Sequence, residues 1–344
     1  MKIAFRADAS VQIGAGHVMR CLALAGELRR QGAEVCFLCR DLPGYLHESI
    51  VAQGCGLRPL AESGEWSSRT DATASLTVLS EKIDWLVVDH YGLDTDWETA
   101  LRARASRLMV IDDLGRAHDS DLLLDQNILG GEMTYQYRVP PACRCLFGPR
   151  YALLRPEFAQ QRARLRRRDG HIREVLISFG GSDPSGETTT AMEVLEAMPD
   201  ADIAAVVVLG PANPRRQELL ARFGQQPRLR LIEQTTAMAA LMAAADVAIG
   251  AGGSTTWERC CLGLPAIVVP VAANQLATTA ALARRRVIEM VAGPAARRMD
   301  IIAVLTRLLA EPGRCRDLSA AGMKLVDGLG IRRVADAMTA HGGV

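Results

Sequence analysis

A short apolar strand, a glycine-bearing turn and a segment of helical period follow one another again and again along this chain. That alternation constrains the fold more than any other feature. Candidate strands are Lys2–Ala7, Glu34–Cys39, Trp85–Asp89, Leu108–Asp112, Leu122–Asp125 and Arg144–Phe147, then Glu174–Phe179, Ala204–Leu209, Leu229–Ile232, Val247–Ile249 and Ala266–Val269. Between the first two, His17–Gln31 sets apolar residues at Val18, Cys21, Leu22, Ala25 and Leu28, the spacing of one helix face. Thr95–Ala105 and Thr70–Lys82 read as helices too, and another starts near Glu187. Parallel strands need long crossovers rather than tight turns, so repeated strand–helix units predict doubly wound parallel sheets, an α/β protein.

At 344 residues the chain is longer than one core supports. The series is interrupted after Pro156 by a polar, arginine-rich stretch ending in the turn dipeptide Asp169-Gly170. The expected organisation is a first domain over 1–155, a linker with a solvated helix over 156–172, and a second domain over 173–344. That second domain would end in an amphipathic helix over Ile331–Ala340. Two such halves imply a cleft between them in which a ligand lies.

Composition excludes several classes. No run of eighteen apolar residues is present, so no membrane-spanning helix is expected. A charged first strand is not a secretory signal, so the cytoplasm is the expected location. A formal net charge of +1 argues against nucleic acid as partner, and the linker arginines lack the interleaved aromatics of a nucleic-acid surface. The nine cysteines lie mostly within apolar runs. Cys36 and Cys39 share a strand and point to opposite faces, while Cys143/Cys145 and Cys260/Cys261 have no partners at zinc spacing. Free structural thiols, with no metal and no cofactor, are expected.

Chemistry concentrates at the turns. The first strand runs into Gly14-Ala15-Gly16, and His17 opens the helix behind it. Glycines permit a tight turn and close approach to a ligand, and exposed amides at a helix start favour anions. A histidine there is a candidate general base beside a nucleotide-linked substrate; the alternative is local hydrogen bonding only. A second such turn is Gly250-Ala-Gly-Gly-Ser-Thr-Thr-Trp-Glu258. Amides of Gly252 and Gly253 could reach a phosphate, and Ser254 or Thr255 could cap the helix and bond the same oxygens. Glu258, four residues beyond Ser254, could accept both hydroxyls of a ribose diol. The alternative is a packing turn with Glu258 solvated. Asn274 could cap the next helix and touch sugar hydroxyls, and Gly181 and Ser182 form a lesser phosphate or sugar loop. Tyr91, after the strand ending at Asp89, could bond a substrate hydroxyl or water, with His90 packing locally. Of Asp112 and Asp113, one is expected to cap its turn; two adjacent carboxylates alone make a poor metal site.

Taken together, Arg6-Ala-Asp-Ala-Ser10 through Gly14-x-Gly-His17-x-x-Arg20, Asp89-His-Tyr-Gly92, Gly148-Pro-Arg-Tyr-Ala-Leu-Leu-Arg155, Gly180-Gly-Ser-Asp183 and Gly252-Gly-Ser-Thr-x-x-Glu258 with Leu262-Gly-Leu-Pro265 resemble the UDP-2,4-diacetamido-2,4,6-trideoxy-β-L-altropyranose hydrolases of pseudaminic acid biosynthesis. The second half also resembles the peptidoglycan N-acetylglucosaminyltransferase, whose GT-B fold has two Rossmann-like domains. The resemblance implies a GT-B-like chain that holds UDP on the second domain, with the pyrophosphate at Gly252–Thr255 and the ribose on Glu258. Tyr91, Arg155 and Asn274 would touch the amino sugar. His17 would activate a water that attacks the anomeric carbon, breaking the C1–O bond with inversion, in a pathway feeding flagellin or another surface glycan. A GT-B glycosyltransferase using a UDP-amino sugar is the main alternative, and a non-catalytic nucleotide-sugar sensor a further one. Stable membrane association is not expected. The exact sugar isomer, the oligomeric state and the extent of domain closure stay open.

Overall fold

The computed structural model describes residues 1–10, 12–44, 46–61, 65–199, 201–233, 235–292 and 297–340. Val11 of the first motif and residues 341–344 of the second expected domain lie outside them. The chain divides into two compact units, one comprising Met1–Arg155 with Leu329–Val344 and the other Pro156–Gly328.

The first unit holds β1 (Lys2–Ala7), β2 (Glu34–Arg40), β3 (Gly56–Leu60), β4 (Ile83–Asp89), β5 (Ala105–Ile111), β6 (Leu122–Asp125) and β7 (Arg144–Phe147). They form one seven-stranded sheet in the order β3-β2-β1-β4-β5-β6-β7, parallel throughout. Alternation along the strands divides the core in two. Ile3, Phe5, Phe37, Trp85, Val87, Met109 and Leu124 face one layer of helices, Gly16–Arg30 among them. Ala4, Leu38, Leu86, Val88, Leu108 and Val110 face the other, which buries Trp97 and Leu101 of the helix Thr95–Leu101. Phe5 and Phe37 pair in register and stack with ring centroids 4.9 Å apart.

The last helix, Gly330–Thr339, corrects the sequence reading. Its stripe of Ile331, Val334, Ala335 and Met338 is buried in the first unit's core, alongside residues of the helix Gly16–Arg30, and not in the second domain. The expected linker is also different. Its helix, Pro156–Arg164, packs into the second unit: Phe158 is fully buried, and Arg162 donates to the carbonyls of Cys261 (2.6 Å), Met323 (3.0 Å) and Val326 (3.1 Å).

The second unit holds β8 (Glu174–Ser178), β9 (Ala204–Leu209), β10 (Leu229–Glu233), β11 (Val247–Ala251), β12 (Ala266–Val269) and β13 (Glu289–Met290). Their order is β10-β9-β8-β11-β12-β13, again parallel, with the reversal of strand order between β8 and β11. Val175, Ile177, Val207, Ile249 and Ile267 share a face packed by Ala191, Leu195, Ile301, Leu305 and Leu318. Among the described residues, no helix is long and apolar enough to cross a membrane. All nine cysteines are free thiols.

Candidate active site

Ser10 ties the first turn: its carbonyl accepts from Gly14 N (2.7 Å) and its hydroxyl from Ile13 N (2.9 Å). Gly14 has φ +81°, which only glycine adopts without strain, although space is open around it. Gly16 begins the helix, and no side chain caps the start at Ala15.

His17 is the second helical residue. Its Nδ1 lies 2.6 Å from Oδ1 of Asp89, the last residue of β4, seventy-two positions away. One turn on, Arg20 grips the same carboxylate through Nε (2.5 Å) and Nη2 (2.6 Å). Burial alone would push the Asp89 carboxyl up, but the charge of Arg20 and the His17 contact outweigh it and hold the group far below the ordinary carboxylate range. An ionised carboxylate only accepts hydrogen bonds, so Nδ1 of His17 is the nitrogen that donates to Asp89, which leaves Nε2 as the ring nitrogen turned to other partners. That is the orientation of a general base with its supporting anion. Sequence reasoning missed Asp89 and Arg20 as partners of His17. The signal available was a carboxylate ending a strand that neighbours the one feeding the glycine turn.

Tyr91 stacks edge-on to His17, 4.7 Å between ring centroids. Its hydroxyl donates to Asp113 (2.7 Å), and burial followed by that carboxylate pushes the phenol well above its ordinary range. Only oxygen lone pairs of Tyr91 therefore remain for a ligand. Asp112 caps its turn, accepting from the amides of Leu114 (3.2 Å) and Arg116 (3.0 Å). Among the described residues no group of three metal-ligating side chains occurs.

His90, beyond β4, reaches the opposite face and stands 3.3 Å from Asp8. Asp8 also takes a bidentate Arg6 (2.6 and 2.9 Å) and Arg40 (2.7 Å). Arg6 continues to Asp71, which accepts indole protons from Trp66 (3.1 Å) and Trp97 (3.0 Å). Charges within this network balance, a condition for burying it. Arg155 lies half-buried after the short Pro149–Tyr151 turn of the first unit.

In the second unit, two glycine turns follow β8 and β11. After β8, the Asp183 carboxylate accepts from the amides of Glu187 (2.9 Å) and Thr188 (2.9 Å), so the protein's own anion occupies that helix start. Gly181 and Ser182 remain accessible beside it, but the phosphate role expected of this loop loses its best donors.

After β11 the outcome is mixed. The Gly252 amide is engaged by Gln275 Oε1 (3.2 Å), which also accepts from Val271 (3.0 Å) and so staples the turns after β11 and β12 together. Gln275, not its neighbour Asn274, does this; Asn274 is exposed inside the helix Ala273–Arg284 and caps nothing. Neither does Ser254 cap: its backbone is already helical and its side chain makes no cap bond. For the amides of Gly253 and Ser254 no partner is found among the described residues. Glu258 sits half-buried one turn further along the helix Thr255–Cys261.

Residues 176–322 match the glycosyltransferase family 28 C-terminal domain. With two doubly wound parallel units, the fold is of the GT-B type. The chain is 27% identical to the spore coat polysaccharide biosynthesis protein SpsG of Bacillus subtilis, over 97% of this chain and 96% of that protein. It is 28% identical to the UDP-2,4-diacetamido-2,4,6-trideoxy-beta-L-altropyranose hydrolase of Campylobacter jejuni, over 83% of this chain and 97% of that one. Among solved structures, MurG of Acinetobacter baumannii superposes with a TM-score of 0.68 at 14% identity, covering 98% of this chain and 99% of that one, a likeness of fold.

Proposed function

We propose that this enzyme hydrolyses UDP-2,4-diacetamido-2,4,6-trideoxy-β-L-altropyranose to UDP and the free sugar, as a step of pseudaminic acid biosynthesis. The observation that carries this reading is the His17–Asp89 pair, with Nε2 left to take a proton from water. Deprotonated water attacks the anomeric carbon, the C1–O bond breaks, and its electron pair leaves on the diphosphate, so the anomeric configuration inverts. Asp89 stabilises the imidazolium formed at that moment. The second unit holds the nucleotide, with amides of Gly253 and Ser254 at the phosphates and Glu258 at the ribose diol. Tyr91, Arg155 and Asn274 contact the sugar. The match to a glycosyltransferase domain favours a second reading, transfer of the sugar to an acceptor.

Proton NMR of the purified protein with this nucleotide sugar tests both. The expected outcome is UDP with free sugar of initially inverted anomeric configuration, lost in His17→Ala. Substrate that stays intact until an acceptor is supplied refutes hydrolysis in favour of transfer.

A further inference from the structure

One cation of the second unit is buried without an anion. Arg259, on the helix Thr255–Cys261, is 3% exposed. Its side chain runs back toward the helix start, as helical side chains do, and Nη2 donates to the carbonyl of Ala251 (2.7 Å) and to Thr256 Oγ1 (3.0 Å). Its Nε has no hydrogen-bond partner, and among the described residues no carboxylate stands within ion-pair distance. Nη1 lies against Gly250, where an added Cβ would come within 2.8 Å of it and would also collide with the carbonyl of Ser178. Gly250 and Ser178 pair in register between β11 and β8, so the guanidinium stands where the strand order reverses. In open parallel sheets that is the crevice where ligands bind.

Such a charge is costly to leave alone. Burial pushes the Arg259 guanidinium down to about 10, against small opposing contributions from Cys260 and Glu258. A helix start is also the wrong end for a cation, because its exposed amides carry positive charge. The buried arginines of the first unit have carboxylates: Arg6 has Asp8 and Asp71, and Arg20 has Asp89. Arg168 shares an unpartnered Nε and a guanidinium that burial pushes down to about 10, but it is only half-buried and meets carbonyls of Met242 and Leu262 near the C-terminal ends of two helices, where a cation is favoured.

We infer that Arg259 is the charge that selects a nucleoside diphosphate at the turn after β11, its missing counter-ion being the diphosphate itself. This rests on the reading that the second unit binds UDP. Binding would bring the anion to a cation already desolvated and fixed, so little of the interaction is screened by salt.

Calorimetric titration of the whole chain with uridine, UMP and UDP tests this, in the wild type, Arg259→Lys and Arg259→Gln. The expected result is a UDP affinity lower by about 10- to 100-fold in Arg259→Gln, the range for losing a charged hydrogen-bond partner. Uridine affinity should hold, and Arg259→Lys should recover most of the preference for UDP. Equal losses for uridine and UDP would assign Arg259 a structural role and overturn the inference, as would an unchanged UDP-to-uridine ratio; both leave the UDP reading standing. A wild type with no preference for UDP over uridine overturns the UDP reading itself and this inference with it. Should Arg259→Gln not fold, arginine side-chain NMR of the wild type decides instead. UDP and inorganic pyrophosphate should shift the Arg259 Nε resonance, assigned with Arg259→Lys, while uridine leaves it in place. No shift at saturating UDP refutes the inference.

Discussion

Two turns in the second unit read almost alike, Gly180-Gly-Ser-Asp183 after β8 and Gly252-Gly-Ser-Thr255 after β11, yet they treat charge in opposite ways. The first closes on itself, since the Asp183 carboxylate takes the helix amides. The second has no carboxylate after its serine; among the described residues the amides of Gly253 and Ser254 find no partner, and the Arg259 guanidinium is buried against Gly250. Asp183 performs internally what a phosphate does externally. A glycine-rich turn is thus not in itself an anion site; in the β8 turn Asp183 has already supplied the anion. The first unit follows the closed pattern, with Arg6, Arg20 and Arg40 each on a carboxylate. What it leaves open is a ring nitrogen, Nε2 of His17, in place of a charge.

The largest expected effect sets the two units apart. Asp89→Asn removes the anion that fixes the His17 tautomer, and turnover should fall by about 10² to 10⁴, the scale of losing a base or its orienting partner. UDP affinity should stay within about threefold; a parallel loss of both, measured by kinetics and calorimetry, would merge what the comparison separates. Next, Thr255→Asp places a carboxylate on the first residue of the helix after β11, beside the expected phosphates. UDP affinity should drop by about 10- to 100-fold while the melting temperature holds or rises, because the new carboxylate repels the diphosphate and stands at the end of the helix dipole that favours a negative charge. Unchanged UDP binding would mean that the turn after β11 does not receive the phosphates.

Asp125, at the end of β6, sharpens the comparison through pH. Burial pushes its carboxyl up to about 7, helped by Asp113 and opposed by the Asn127 amide. The folded state then holds a proton that the unfolded chain has released above about pH 4, so stability falls as pH rises from about 4 to 7. Asp125→Asn does not titrate. Its stability relative to wild type should therefore increase by about 2 kcal/mol between pH 5 and pH 8 in urea denaturation. Equal slopes for both proteins would show that Asp125 is ionised throughout. The smallest effect is on the closed turn: Asp183→Ala should cost about 1 kcal/mol of stability, as lost helix caps do, with UDP affinity intact. A change in UDP binding instead would give the β8 turn a ligand role.

Strand–helix alternation made the architecture legible, and several strands, Lys2–Ala7 and Ala204–Leu209 among them, begin and end where the pattern placed them. β3 was not legible because Gly56 and Pro59 break its pattern; a proline is tolerated there since β3 lies at the sheet edge. The helix Gly330–Thr339 was legible as an element but not in its destination. An apolar stripe says that a face is buried, not against which core. The same limit applies to Phe158, one apolar residue among arginines. His17 could be singled out from its turn, but its partner could not, because Asp89 meets it only through the pairing of β1 with β4. Gln275 and Asn274 are interchangeable as polar neighbours in a sequence, and only the positions of Gly252 and Val271 decide between them.

The return of Gly330–Thr339 to the first unit has a consequence for synthesis. A ribosome adding about 5–20 residues per second makes all of the second unit, residues 156–328, before it makes those ten residues. For roughly ten to thirty seconds, the nascent first half waits with the bed for Val334 and Met338 uncovered. The earlier-made unit therefore completes its core only after the whole sequence of the second unit has been made.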